Sequence, residues 1–385
     1  MYLPALLIFA ILNSCIELEI AAPSFPQIME YFDVSENIVG LTITYNLIGF
    51  CVASTIYGPL SEYYGRRKIM VIGNGILAIG AIGCALAFSM NFLLISRFIQ
   101  GIGAATAAVL LSAIVADLYE AREAAKIYGG MNAFITSIMA MAPILGAIIT
   151  MYVGWRGNYA FVALICSIAF ILLYLYLPET LQKSKRSSKL GLILVLKNYT
   201  RLVSSLLFLA TTIVPSLTYC GYLSFVAVAP FIYMNEFGLS LLQYTMHQAS
   251  AVLCFALTSI FAGRIIDLIG AKNAVICAIL LSLIGSIVAL LKINMYIFTL
   301  GMSIISIGSA LIYPIIFAAS LEIFPEIKGT ASSAIMTIRY LICSMVTGAS
   351  IYFYDGDYIA LSQIMLAITL IITLLSYYIL QRIKL

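Results

Sequence analysis

From Gly58 to Lys68 the chain reads Gly-Pro-Leu-Ser-Glu-Tyr-Tyr-Gly-Arg-Arg-Lys, and from Gly263 to Lys272 it reads Gly-Arg-Ile-Ile-Asp-Leu-Ile-Gly-Ala-Lys. Glycine, acid, glycine and base recur at matching positions 205 residues apart: Gly58 with Gly263, Glu62 with Asp267, Gly65 with Gly270, Arg67 with Lys272. A motif repeated at that distance marks a duplicated unit. Each copy follows the second long apolar run of its half. Working outward, apolar runs fall at 3–26, 38–58, 69–88, 92–115, 127–152 and 157–177, then at 203–233, 240–262, 273–291, 295–319, 330–353 and 358–380. A helix crossing a bilayer needs about 20 mostly apolar residues, so the pattern predicts twelve spans in two groups of six. Pro178 to Arg201 is the longest polar stretch. The expected organisation is an N-terminal six-helix bundle over 1–177, a linker over 178–202 and a C-terminal six-helix bundle over 203–385. Two parallel repeats of this kind place a binding site between the halves, near mid-membrane.

Composition agrees. Of 385 residues, 63% are hydrophobic and 9% charged, and the mean hydropathy is +1.09. A soluble domain carries about a quarter charged residues, so a soluble enzyme and a disordered chain are excluded. The runs are continuous rather than alternating, which points to helices and not to a barrel. With 20 basic and 16 acidic side chains there is no patch for nucleic acid. The eight cysteines all lie in apolar runs without a CxxC pair, so neither a disulfide framework nor a metal site is expected. No phosphate-binding loop occurs, and Gly101-Ile-Gly103 fails as a dinucleotide fingerprint because Thr106 stands at the third glycine position. The segment Met1 to Cys15 carries no base before its apolar stretch and is read as a retained first span.

Charge placement sets the sidedness. Sixteen of the 20 bases fall in the loops after spans two, four, six, eight and ten or in the C-terminal tail, among them Arg66, Arg67, Lys68, Arg122, Lys126, Lys183, Arg186 and Arg264. The opposite side has only Arg156 and Lys292, with the acids Glu30, Asp33, Glu36, Glu236, Asp355 and Asp357. By the positive-inside rule both termini and the linker are cytoplasmic.

The motif from Gly58 to Lys68 resembles the cytoplasmic loop signature of the major facilitator superfamily, with Glu62 where Asp is usual. Other segments resemble the drug:proton antiporters of the bicyclomycin and chloramphenicol resistance (Bcr/CflA) type. These are Glu19-Ile-Ala-Ala-Pro23-Ser-Phe-Pro26 in span one and Arg97-Phe-Ile-Gln100-Gly101-Ile-Gly103 in span four. Pro178-Glu179-Thr180 after span six and Gly329-Thr330-Ala331-Ser332 opening span eleven belong with them. The span-five segment Ala142-Pro143-Ile-Leu-Gly146-Ala147 keeps the proline and one glycine of the antiporter signature. The resemblance implies an all-helical membrane fold of two pseudo-symmetric bundles and secondary active transport by alternating access. It further implies proton-coupled efflux of small amphipathic compounds at the cell membrane. The partners it implies are a small-molecule substrate, protons and the lipid bilayer. The protein is expected to work as a monomer and without a cofactor, a proton gradient supplying the energy. A metabolite, siderophore or peptide with an anionic group is the alternative cargo, and a non-transporting membrane sensor the alternative role.

Four charges lie deep in the spans: Glu17, Glu19, Arg97 and Arg339. Ionisable groups at such depth are costly and mark pathways or partners. Glu17 and Glu19 point about 200° apart around a helix, so one cavity cannot hold both. The resemblance selects Glu19 as the coupling acid, because it precedes Pro23 and Pro26 at the subfamily's spacing. The competing reading pairs Glu19 with Arg97, and leaves Glu17 an interhelical hydrogen bond. By resemblance Arg97 and Gln100 line the N-terminal half of the cavity. Arg339 departs from the family's uncharged lining and is read either as a site for an anionic group or as a neutraliser of Glu17. His247 is read as structural. Gly58, Glu62, Gly65, Arg66, Arg67 and Asp267 form the expected gating motif, with Glu62 pairing to Arg66 or Arg67 across the turn and facing the start of span eleven. Trp155 is expected to be an interfacial belt residue.

Overall fold

The structure is a computed structural model describing residues 2–118, 138, 141–182, 186, 192–324 and 327–383. Most of span five before Met141, the bases Arg122, Lys126, Lys183, Lys185 and Lys189, and Lys384 lie outside the described residues. The described chain is helical throughout. Helices α1 (Tyr2–Glu19), α2 (Phe25–Phe32), α3 (Glu36–Tyr64), α4 (Arg66–Ala85), α5 (Met90–Leu118), α6 (Met141–Val153) and α7 (Trp155–Tyr176) form the first half. Helix α8 (Leu192–Val203) leads into α9 (Leu206–Phe231), α10 (Leu241–Ile269), α11 (Ala271–Leu290), α12 (Met295–Glu322), α13 (Lys328–Tyr352) and α14 (Tyr358–Arg382). Eleven described helical segments are long and apolar enough to cross a bilayer, and α6 is a shorter apolar helix ending the fifth run.

The first span is not one continuous helix. Its backbone breaks after Glu19 into a short 3-10 turn, Ala22–Ser24, before α2 continues to Phe32. Pro23 and Pro26 explain the break, because neither has an N–H to return to the preceding turn. Glu19 therefore ends a half-helix inside the membrane, where an interrupted backbone is tolerated only if protein covers it. Pro230 acts similarly near the end of α9, which continues as a π turn, Ile232–Glu236.

Within the first half α5 packs against α3 and α4, and in the second half α12 packs against α11 and α10. This is the symmetry that the repeated motif foretold. The halves meet chiefly along α3 and α13. The Phe50 and Tyr340 rings stack at 3.7 Å, Thr337 Oγ1 lies 3.1 Å from Thr55 Oγ1 and 3.3 Å from Ser54 Oγ, and Gly58 lies opposite Ser333. At the acid-rich end Phe25 stacks on Phe231, and Asn235 donates to Glu36 at 2.5 Å. Large apolar side chains such as Ile79, Phe88, Leu268 and Tyr377 are exposed, as a surface meant for lipid requires.

Trp155 begins α7, at the end of its span, with its ring packed on protein. It is buried against Tyr31, Phe32 and Tyr159, and Arg156 lies over its ring at 4.2 Å while donating to the Ala87 carbonyl at 2.7 Å. An aromatic ring flanked by three others gains from that packing.

Candidate functional site

The N-terminal half assembles its buried polar cluster from four helices. Arg97 of α5 is fully buried, and its Nη1 meets the Glu17 carboxylate of α1 at 2.5 Å. The same nitrogen donates to Gln100 Oε1 at 2.7 Å, and Nε reaches the Thr42 carbonyl of α3 at 3.3 Å. Asn46 of α3 donates to both Glu17 oxygens, at 2.9 and 3.2 Å. The Tyr159 ring of α7 lies 5.8 Å from the guanidinium. The reading that gave Arg97 to Glu19 is thus corrected: Glu17 is its partner. Nor does Arg339 neutralise Glu17.

Glu19 stands apart. It is fully buried, and it faces α9, where Tyr222 lies beside it. Neither carboxylate oxygen nor the Tyr222 hydroxyl completes a hydrogen bond, and no cation pairs with it among the described residues. The two acids, only two residues apart, therefore have opposite surroundings. The rotation of α1 that decides this is held by α6. Gly146 sits so close to the break in α1 that a Cβ there would overlap the Ile20 carbonyl. Pro143 is buried one turn earlier, and the Thr150 hydroxyl ties back to the Gly146 carbonyl at 2.7 Å.

Arg339 of α13 is the fourth deep charge. It is 5% exposed, and among the described residues Nε and Nη2 have no hydrogen-bond acceptor. Nη1 reaches the Met336 sulfur at 3.7 Å. Three rings surround the guanidinium: Tyr313 at 5.1 Å, Phe317 at 5.4 Å and Tyr219 at 6.0 Å. Each cation–π contact contributes about 0.5–2 kcal/mol, while an unpaired buried ion costs several kcal/mol. The rings offset part of that cost and leave the donors open. His247 of α10 stacks on Tyr233 and lies 2.9 Å from the Thr299 hydroxyl, away from these clusters.

At the base-rich end, α3 and α4 are joined by Gly65 alone, whose φ of +98° an L side chain would adopt only with strain. Arg66 turns toward α5, its Nε 3.1 Å from Asp117 and its Nη1 2.5 Å from the Ser61 hydroxyl. Its backbone N–H is received by Glu179 at 2.9 Å, and Glu179 pairs with Arg186 at 3.1 Å. Arg67 donates to the Tyr174 carbonyl at 2.8 Å. The expected pairing of Glu62 with these arginines does not form. Glu62 is exposed and has no hydrogen bond or ion pair among the described residues. The spacing of four between Glu62 and Arg66 brings side chains together on an unbroken helix, and the helix breaks at Gly65. The side chains that open span eleven, Lys328 and Gly329, lie outside the described residues. Asp267, the repeat's counterpart of Glu62, is also exposed and unpartnered among the described residues. Sequence reasoning missed Asp117, Asn46 and Tyr222. Asn46 had a signal, a lone amide amid an apolar run, whereas Asp117, in the last turn of α5, follows its apolar run with nothing in the sequence to set it apart. No group of three or more metal-ligating side chains gathers among the described residues.

Long apolar helices packed around buried charges define a multi-pass membrane protein. The chain belongs to the Major Facilitator Superfamily, whose profile matches residues 7–347 and again 208–383. It is similar to a bicyclomycin resistance protein homolog of Haemophilus influenzae, with 23% identity over 92% of this chain and 90% of that protein. A multidrug resistance protein, MdtM, of Salmonella typhimurium is 24% identical over 92% and 87%. The fold matches the partially occluded inward-open xylose transporter XylE from E. coli, with a TM-score of 0.77, 15% identity and coverage of 99% and 97%.

Proposed function

We propose that the protein is a proton-coupled exporter of small amphipathic compounds, working by alternating access of its two halves across the cell membrane. The observation that carries the reading is Glu19, a buried carboxyl without a cation among the described residues, at the end of a broken half-helix and facing the opposite half. Arg97 is already neutralised by Glu17, so Glu19 is the acid free to exchange a proton for a substrate. A carboxyl in a dry site favours its neutral form, and admitting water or a cation favours ionisation. Opening to either side therefore changes its proton occupancy. The names of the relatives, bicyclomycin and multidrug resistance proteins, support a drug-like cargo. The base-rich end, with the Arg66 network, is the cytoplasmic side by the charge rule.

The test is proton release from the purified protein on adding substrate, followed with a pH dye. Release in the native chain that disappears in Glu19→Gln and persists in Asp117→Asn is the expected result. Release that persists in Glu19→Gln moves the coupling acid elsewhere, and none in the native chain removes proton coupling.

A further inference from the structure

We propose that Arg339, framed by Tyr219, Tyr313 and Phe317, is a binding subsite for the carboxylate of an aromatic substrate, so that the transported compounds include amphipathic aryl carboxylates. The inference deepens the reading of the protein as an exporter and rests on it for the direction of movement, though not for binding.

Nε and Nη2, the two nitrogens without an acceptor among the described residues, form one edge of the guanidinium. Their N–H bonds run parallel, and this edge holds a carboxylate through two hydrogen bonds. Its neighbours suit the rest of such a ligand. Tyr313 and Phe317 stand one turn apart on α12 with their planes 6° from parallel, and Tyr219 of α9 closes a third side. Flat faces beside a charged edge accept a ring bearing an acid, whereas a hydrated inorganic anion would lose its water and gain nothing from the rings. No acid of the described protein occupies the place. Glu17 is engaged by Arg97, and Glu19 lies beside Tyr222.

The subsite also adjoins the contact between the halves. Tyr219 packs edge-on against Tyr340 at 6.3 Å, and Tyr340 stacks on Phe50 of the other half. Separating the halves breaks the Phe50 stack and loosens the rings that cover Arg339. A ligand arriving there replaces ring contacts with two charge-assisted hydrogen bonds, and in doing so disturbs the inter-half stack. Binding and opening are coupled through Tyr340.

Equilibrium binding to the full chain in lipid nanodiscs, at one neutral pH and without a gradient, tests the subsite apart from proton coupling. The probes are benzoate, 2-naphthoate and 4-phenylbutyrate, each against its own primary amide, which is similar in shape and uncharged. The native protein should bind the carboxylates about tenfold more tightly than the amides, and Arg339→Gln should abolish the preference. Without ligand, Arg339→Gln should melt no lower than the native protein, since the charge it removes has no acid beside it among the described residues. Should that variant fail to fold, Arg339→Lys, which keeps the charge but not the two-pronged edge, should reduce the preference. Equal binding of acid and amide, binding of neither, or a preference that survives both substitutions overturns the subsite. A carboxylate preference without substrate-induced proton release would leave the subsite standing and remove proton coupling alone.

Discussion

Glu17→Gln and Glu19→Gln are the same chemical change two residues apart, and the structure predicts opposite costs. Glu17 accepts from Arg97 at 2.5 Å and from Asn46 at 2.9 and 3.2 Å, with both members of the ion pair fully buried. Removing its charge leaves a guanidinium in the membrane interior with only the Thr42, Glu17 and Gln100 oxygens to satisfy it. Breaking one side of a buried pair costs about 3–5 kcal/mol, most of it the penalty on the charge left behind. Arg97→Gln should cost a similar amount. The double substitution removes both charges together and should cost less than the sum of the singles by about 3 kcal/mol. Glu19→Gln removes no ion pair among the described residues and keeps a polar side chain beside Tyr222, and should change stability by less than about 1 kcal/mol. Reversible unfolding of the purified protein in mixed micelles gives all four values. Additive costs for Glu17→Gln and Arg97→Gln, or equal costs for Glu17→Gln and Glu19→Gln, would refute the assignment of Arg97 to Glu17.

Two further outcomes concern the ends of the bundle. Arg66→Ala should slow transport in vesicles with insertion unchanged, because it releases Asp117 and Ser61 at once, whereas Glu62→Gln should transport like the native protein; a larger defect in Glu62→Gln would invert the roles of the two residues. Asp357 caps α14 by accepting from the Ile359 amide at 2.9 Å and pairs with Lys292. Burial pulls its carboxyl up, but the Lys292 and Ile359 bonds outweigh that and hold it below the ordinary Asp range. The cap is therefore fully present above about pH 4 and is lost as pH falls through the lowered value. The protection of the Ile359 amide against hydrogen exchange, taken relative to its intrinsic rate at each pH, should fall at that end of the pH range in the native chain and at neutral pH in Asp357→Asn.

The membrane makes much of this protein legible from sequence. In hydrocarbon every backbone polar group must be satisfied within its own helix, so each crossing declares itself as a long apolar run, and the repeated glycine–acid–glycine–base motif marks the duplication. The rarity of charge did the same for the candidate site: four ionisable residues deep in the spans stood out before any coordinates.

Partnership was another matter. The spacing of Glu17 and Glu19 established that they face different ways, but not which way, because a helix can be rotated without changing its sequence pattern. That rotation is set by contacts far along the chain, Gly146 against Ile20 and Asn46 against Glu17. For the same reason Arg66 was matched to an acid four residues away and found one on another helix, Asp117. The sequence by itself determined that the chain is a bundle of long apolar helices, which loops carry the bases and which charges lie within apolar runs. Only the tertiary structure decided that Glu17 is paired with Arg97, and that, among the described residues, Glu19 has no such partner and Arg339 keeps two donors open among three rings. Crossing is written in local composition, whereas pairing depends on the rotation and approach of helices that no local stretch encodes.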